Sequence, residues 1–255
     1  MWFKDRQQRI MTLLQAHHRV STDTLADEFG VSRETVRRDL LDLESDGKIK
    51  RVHGGAVLPH PASEEPFQKR MDLHLNEKRS ISRLAAKIIK PGQCVMIDAG
   101  TTTSVFSHEL SKVPDLFVIT NSIDIVSTLR HANYDGKVLL LGGNIISDVP
   151  GTYGELTLAD ISRFNADVGV LSPVALHSEY GATNFDVQEA EVARAIISQS
   201  HKIIMLADHA KLETTSRVNY CAPNKIDVLV TSNGAEKEDL KSLQKNGVKE
   251  VVVAP

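Results

Sequence analysis

Residues 20–40, V-S-T-D-T-L-A-D-E-F-G-V-S-R-E-T-V-R-R-D-L, constrain this chain more than any other stretch. Ser21 and Ser32 each precede a run of apolar residues at helical spacing, where a side-chain oxygen accepts from the free N–H groups of a first helical turn. Two short helices are therefore expected, with Gly30 between them. Ala26, Gly30 and Val36 meet the demands of a tight helix-turn-helix: a small residue at the crossing, a glycine where the backbone needs positive φ, and a β-branched plug for the core. On the second helix Val36, Leu40 and Leu43 share one face, which turns Arg38 outward and leaves Arg33, Glu34 and Arg37 flanking the exposed side. An outward helix with arginines near its start suits the major groove of DNA.

The next segment favours that function over an ordinary helical core. Residues 48–58, K-I-K-R-V-H-G-G-A-V-L, are two β-prone runs around His53-Gly54-Gly55, which is a hairpin pattern. A basic hairpin directly behind such a helix makes a winged helix, with Lys48, Lys50, Arg51 and His53 set to touch phosphates or a minor groove. Residues 5–17, with Ile10, Leu13 and Leu14 at helical spacing, supply the supporting helix. Thr35, Arg37 and Arg38 are the candidates for base edges and phosphates, with Ser32 and Arg33 at the helix start.

Composition limits how DNA could be held. The formal charge is −3 over 255 residues, and the first 58 residues hold ten Lys/Arg against nine Asp/Glu, so a local patch must do the work. Cys94 and Cys221 are too few and too far apart for a disulfide framework or a zinc cluster and read as two buried thiols. No metal and no cofactor is expected. The amino terminus, M-W-F-K-D-R-Q-Q-R-I, carries charges where a signal peptide needs an apolar run, so a cytoplasmic protein is expected.

Residues 59–76 contain three prolines and no clear period, which reads as a linker ending in a short helix. The chain then divides into a DNA-binding module at 1–58, that linker, and an α/β domain at 77–255. In the larger part apolar strands alternate with helices: a helix at 77–89, a strand at 94–97, a helix at 103–110, strands at 116–120 and 138–141 around a helix at 122–130, and the same rhythm to the end. That alternation predicts a mostly parallel sheet covered on both faces. Ligands of such sheets bind at the carboxyl ends of strands.

The strand ends carry the chemistry. The first gives I-D-A-G-T-T-T at 97–103, where Gly100 permits a sharp turn and Thr101, Thr102 and Thr103 offer hydroxyls and N–H groups at a helix start, a cradle for a phosphate. Neither a lysine-bearing nucleotide loop nor a G-x-G-x-x-G is present, which points to a small phosphorylated molecule rather than ATP or NAD. Asn121 could bond a polyol, Gly142 and Gly143 would let a ligand approach the backbone, and Asp186, Glu189 and Glu191 open a helix. Asp208 and Lys211, in A-D-H-A-K, bring an acid and an amine to another strand end, where the lysine can neutralise a phosphate.

The segments V-S-R-E-T-V-R-R-D-L, R-V-H-G-G-A, D-A-G-T-T-T, T-N, G-G, E-A-E and A-D-H-A-K, spread over nearly the full length, resemble the DeoR family of bacterial transcriptional regulators. The resemblance implies a winged helix joined to a sensor domain similar to ribose-5-phosphate isomerase, responding to phosphorylated sugars. It places a recognition helix at 32–44 and an effector site on Asp98, Gly100, Thr101, Thr102, Thr103, Asn121, Gly142, Gly143, Glu189, Asp208 and Lys211. It also implies a repressor of carbohydrate-metabolism genes, working as a homodimer or homotetramer on a double-stranded operator, since one short helix reads only a half-site. The alternative is an isomerase-like enzyme with an amino-terminal regulatory module. Against it, the stretch L-S-P-V-A-L-H-S-E-Y-G-A-T at 171–183 has no carboxylate at its start, so the paired acid and base of an aldose–ketose isomerisation are missing.

Overall fold

The helix-turn-helix expected from two serines and a glycine forms in a computed structural model, which describes residues 3–17, 19–46, 48–52, 54–57 and 64–255. Its elements are α1 (Phe3–His17), β1 (Arg19–Ser21), α2 (Thr22–Phe29), α3 (Arg33–Ser45), β2 (Lys50–Val52) and β3 (Gly55–Val57). The Ser21 hydroxyl accepts from the Thr24 N–H at 2.9 Å and the Ser32 hydroxyl from the Thr35 N–H at 3.1 Å. Gly30 ends α2 at φ +62°, the left-handed conformation that only glycine adopts freely. The hairpin β2–β3 is joined by β1, a third strand that the sequence pattern does not announce. A Cβ on Gly55 would lie 2.0 Å from the Val20 carbonyl oxygen, so the missing side chain lets β1 pair with β3. Ile10, Leu14, Val20, Leu25, Val36, Leu40, Leu43, Ile49 and Ala56 close one core beneath these elements.

One charged pair crosses that core. The Arg6 guanidinium of α1 donates from Nε and Nη2 to the two carboxylate oxygens of Asp39 on α3, with side chains only 10% and 2% exposed. Two groups that cannot stay buried alone are satisfied by each other, which fixes where the supporting helix meets α3.

The chain divides into two units, Met1–Ser63 and Glu64–Pro255. The second begins with α4 (Phe67–Asp72), within the stretch expected to be a linker ending in a short helix, and α5 (Leu75–Ala86), where a helix is expected at 77–89. Residues 58–63, including the start of that stretch, lie outside the described residues. The segment from Glu64 onward is no free tether, because Phe67 is buried and its N–H donates to the Asp148 carboxylate at 2.5 Å. A buried aromatic anchors a segment whose prolines suggest a loose chain.

The alternating elements are β4 (Cys94–Ile97), α6 (Thr101–Leu110), β5 (Phe117–Thr120), α7 (Ile123–His131), β6 (Lys137–Leu140), α8 (Glu155–Ile161), β7 (Ala166–Leu171), β8 (Ala175–His177), β9 (Gly181–Asn184), α9 (Val187–Ser198), β10 (Ser200–Leu206), β11 (Val218–Cys221), β12 (Val228–Ser232), α10 (Lys237–Lys245) and β13 (Glu250–Ala254). Seven strands form one parallel sheet in the order β13-β12-β10-β7-β4-β5-β6. Successive residues of a strand face opposite sides, so both faces need cover. Val95, Ile97, Val118, Val168 and Val170 meet Ile81, Phe106, Leu110, Ile125 and Leu129 of α5, α6 and α7. Met96, Ile119, Leu171, Met205 and Leu229 share the opposite layer with Ala193 and Ile196 of α9 and Leu243 of α10. The expected class holds: a winged helix-turn-helix and a larger, mostly parallel α/β unit. Strand order runs one way from β4 to β6 and the other way from β7 to β13, so β4 and β7 flank a topological switch point. A small antiparallel sheet, β11-β9-β8, occupies the stretch after β7.

Asp39→Ala should cost the first unit about 3–5 kcal/mol, because it strands a buried guanidinium, whereas Asp42→Ala on the exposed face should stay within about 0.5 kcal/mol. Urea denaturation of the full chain followed by circular dichroism measures both, and equal effects would deny the pair its structural role.

Candidate functional site

On α3 the expected basic groups lie outside the core. Arg33, Arg37 and Arg38 are exposed, Thr35 is partly so, and Ser32 is spent on the cap. Arg33 pairs with Asp23 at 2.7 Å and Arg37 with Glu34 at 3.7 Å, both between exposed side chains. Such pairs contribute about 0–1 kcal/mol, so a phosphate can replace either acid at small cost. Arg38 has no acidic partner among the described residues. In the wing, Lys48 pairs with Asp46 at 2.8 Å, and Glu44 holds both the Arg51 N–H at 2.8 Å and its guanidinium at 3.6 Å. Glu44 thereby ties the end of α3 to the wing, which makes Arg51 in part a brace. Lys50 is exposed, and His53 lies outside the described residues.

In the larger unit the rim candidates converge at the switch point. Asp98 follows β4 and Ser172 follows β7, and the Ser172 N–H donates to Asp98 Oδ2 at 3.1 Å. Lys211, in the short turn after β10, donates from Nζ to the Ser172 hydroxyl at 3.0 Å and to the Pro173 carbonyl at 2.7 Å. Asp208, in the same turn, is buried. Thr101, Thr102 and Thr103 form the first turn of α6, all buried, and the Thr103 hydroxyl donates to the carbonyls of Asp98 and Gly100 at 3.0 Å each. Several buried polar atoms here have no partner: Asp98 Oδ1, Thr102 Oγ1, Asn121 Oδ1 and Tyr153 Oη. Orphaned acceptors and hydroxyls beside a ten-residue helix's N-terminus are what a polar ligand would satisfy.

Burial sets the charge states. It pushes the Asp98 carboxyl up to about 7, against hydrogen bonds from Ser172 and Thr103 and the attraction of Lys211. Glu189 is pushed up to about 8, first by burial and then by Glu64, Asp186 and Asp98. Burial pulls the Lys211 ammonium down, while Asp208 and Glu64 act to raise it. Near neutral pH the rim therefore offers carboxyl groups able to donate as well as accept.

Four of the expected positions differ in detail from the sequence reading. Gly100 has φ −171°, extended backbone open to any residue, so its turn needs no left-handed conformation, although a Cβ there would lie 3.3 Å from Thr103 Oγ1. The space at Gly143, φ +144°, is taken by this chain: a Cβ there would meet Thr157 Oγ1 at 2.2 Å and the Tyr153 carbonyl at 2.6 Å. That glycine admits the Asn144–Tyr153 pairing rather than a ligand. Gly142 is likewise engaged, its N–H donating to Asp160 at 3.3 Å and its carbonyl accepting from Thr157 at 2.6 Å. Asn121 uses its amide on the Thr152 carbonyl at 3.0 Å, which leaves only Oδ1 for anything else.

A DeoR-like helix-turn-helix domain matches residues 6–62, and a DeoR C-terminal sensor domain matches residues 73–233. The chain belongs to the DeoR family. Among its DeoR-family relatives is the HTH-type transcriptional repressor GlcR of Bacillus subtilis, 34% identical over 99% of this chain and 97% of that one. The glycerol-3-phosphate regulon repressor of Escherichia coli is 34% identical over 89% of each chain. Ribose 5-phosphate isomerase A from Neisseria gonorrhoeae superposes over 52% of each chain at a TM-score of 0.39 and 15% identity, too distant to carry an argument. This DeoR-family member is a DNA-binding transcriptional regulator and not an enzyme. No helix among the described residues is long and apolar enough to cross a membrane.

Several contributing residues escape a linear reading. Ser172 and Tyr153 are brought to the rim by the fold, from a loop and a bridge with no period of their own. Glu77 of α5 accepts from His74 at 3.0 Å, from His209 at 2.7 Å and from the Ser232 hydroxyl. Burial would raise the Glu77 carboxyl, but those three partners hold it well below the usual range, and the His209 imidazole is raised by the same bond against its own burial. His209 thus clamps α5 onto the sheet tips.

Asp98 yields a pH-dependent test. Its folded pKa, about 7, lies above its unfolded value of 3.8, so folding loses stability as pH climbs through that window and carries the full cost above it. Asp98→Asn should stabilise the ligand-free protein by roughly 2–4 kcal/mol at pH 8 and by little at pH 4. Thermal melts at the two pH values decide it, and an unchanged difference would mean Asp98 ionises freely.

Proposed function

We propose that this regulator is a cytoplasmic repressor of carbohydrate-metabolism genes whose operator binding is relieved or retuned by a phosphorylated sugar or related metabolite. The reading divides labour between a DNA-binding module at 1–58 and an effector-sensing domain at 77–255. What supports the first half is a capped helix presenting Arg33, Arg37 and Arg38 on its exposed side. In this account Thr35, Arg37 and Arg38 contact base edges and phosphates, Ser32 and Arg33 sit at the helix start, and Lys48, Lys50, Arg51 and His53 add backbone contacts.

A single observation carries the second half: Asp98, with an unpartnered buried oxygen, and Lys211 meet through Ser172 at the switch point, beside the first turn of α6. Lys211 and the N–H groups of Thr101, Thr102 and Thr103 would take the phosphate, while Asp98, Asn121, Glu189 and Asp208 would take hydroxyls. Gly142 and Gly143 shape that edge, the first with its N–H and carbonyl already bonded to Asp160 and Thr157, the second with its side-chain space taken by Thr157 and Tyr153. The relatives named for repression and for the glycerol-3-phosphate regulon make a phosphorylated small molecule the natural effector class. Two DNA-binding modules in a homodimer or homotetramer would read the two halves of a palindromic operator. Coupling of about 1–3 kcal/mol between ligand and operator would suffice for induction.

Two variants separate the units. Arg38→Ala should lose roughly 1–3 kcal/mol of operator discrimination and leave effector binding unchanged. Lys211→Met should bind operator normally and no longer respond to effector. A thermal-shift screen against sugar phosphates finds the effector: at about 100 times its Kd a true ligand adds roughly 2.7 kcal/mol. Normal induction of the Lys211 variant in an operator-release assay would move the pocket elsewhere.

A further inference from the structure

The rim already holds an anion that the protein supplies itself. Glu64 pairs with Arg70 Nη1 at 2.5 Å, with side chains only 20% and 18% exposed. The short segment carrying both is pinned at several points. Arg70 Nε donates to the Glu65 carbonyl at 2.7 Å, its guanidinium lies 5.8 Å from the centroid of the buried Phe67 ring, and Phe67 is tied to Asp148. The buried Lys78 ammonium donates to the Arg70 carbonyl from α5. The guanidinium is thus fixed in place rather than free in solvent.

The segment carrying that pair meets the helix that opens at the expected phosphate site. Helix α4 packs on α6, whose first turn is Thr101 to Thr103. Burial raises the Glu64 carboxyl, while Arg70 and then Lys211 draw it back down. Lys211 in turn feels Asp208, Glu64, Arg70 and Asp98, and Glu189 feels Glu64 and Arg70. Glu64 therefore lies within electrostatic reach of both cations at the rim. A half-buried lysine and a largely buried arginine are costly to leave unpaired, and a carboxylate from the chain meets that need. A phosphate monoester offers more: close to two charges and three acceptor oxygens, matched to the planar fork of an arginine.

We propose that Arg70 binds the effector's phosphate together with Lys211, and that in the ligand-free protein the Glu64 carboxylate occupies the phosphate's place. This rests on the proposed effector site and adds to it a second cation and an internal competitor. Glu64 is the first residue of the larger unit and adjoins the segment that leads to the DNA-binding module. An entering phosphate must expel that carboxylate.

The test titrates the full-length protein with inorganic phosphate, followed calorimetrically, with chloride balancing ionic strength. Removing the competing charge by Glu64→Gln should tighten phosphate binding about tenfold. Arg70→Met should weaken it by about tenfold or more, and Arg70→Lys, which keeps the charge without the fork, by ~threefold. Circular dichroism checks that each variant folds, and the lysine variant stands in should the methionine one not fold. Glu64→Gln binding no more tightly than the unaltered chain, or the arginine variants binding as well as it does, overturns the proposal. Lys211→Met in the same titration separates the two levels. If it loses phosphate while the Glu64 and Arg70 variants behave as the unaltered chain, the site stands and this inference falls. If it too binds normally, the effector reading itself falls.

Discussion

Between Ile97 and Leu171 the sheet reverses the direction in which its strands are laid down, and the polar chemistry of the larger unit is arranged around that gap. Adjacent strands whose connections leave in opposite directions cannot both be covered by the same crossover, so the carboxyl edge opens there. Asp98 and Ser172 are the first residues past the two strands, and they bond to each other across it. Lys211 then reaches the same serine from the end of the next strand. Two apolar layers hold those tips in register, so a change in either layer acts on the site without touching it.

The smaller unit solves a different problem with the same economy. Its charges nearly cancel, so the groups facing DNA must be few and well placed. One arginine and one aspartate are taken into the interior to join α1 to α3, and the remaining arginines of α3 are left outside with weak, exposed partners or none among the described residues. Asp39, next in sequence to Arg38, shows how neighbouring charges divide between fold and function by helical phase alone. A rotation of about 100° per residue puts one in the core and its neighbour in solvent.

Much of this is legible in the sequence because local rules and the final fold agree. Ser21, Gly30 and Ser32 act on their own backbone within a few residues, and the apolar runs from Cys94 to Val253 have no stable place except a sheet covered on both faces. What is not legible depends on contacts far along the chain. β1 exists only because Gly55 lets another strand approach, and Phe67 is anchored by Asp148, 81 residues away. One glycine misleads. Gly143 advertises open backbone, but a glycine can report only that something comes close, and here it is Thr157 and Tyr153. The buried Arg6–Asp39 pair leaves a faint signal, since Asp39 lies on the stripe of Val36, Leu40 and Leu43, where an unpaired acid would be costly.

On the proposed effector reading, the same rim would hold a ligand without transforming it. Moving a proton along a sugar needs an ionised base on one side of the carbon and an acid on the other. Here burial lifts Asp98 and Glu189 toward or above neutrality, a range in which a carboxyl can donate to a hydroxyl or act as a base, so the distinction rests on the loop leaving β7. The loop leaving β7 could have carried the missing base, but it gives Ser172 and Pro173 to Lys211 and then folds away into β8 and β9. The first carboxylate along it, Glu179, is exposed between those strands. Asp98, Ser172 and Lys211 bond to one another at the rim while other buried polar atoms there lack partners, and on the proposed reading an entering ligand would exchange the first and satisfy the second. That exchange of internal for external partners is a differential free energy between two states of the same edge, and such a difference is what a regulator requires.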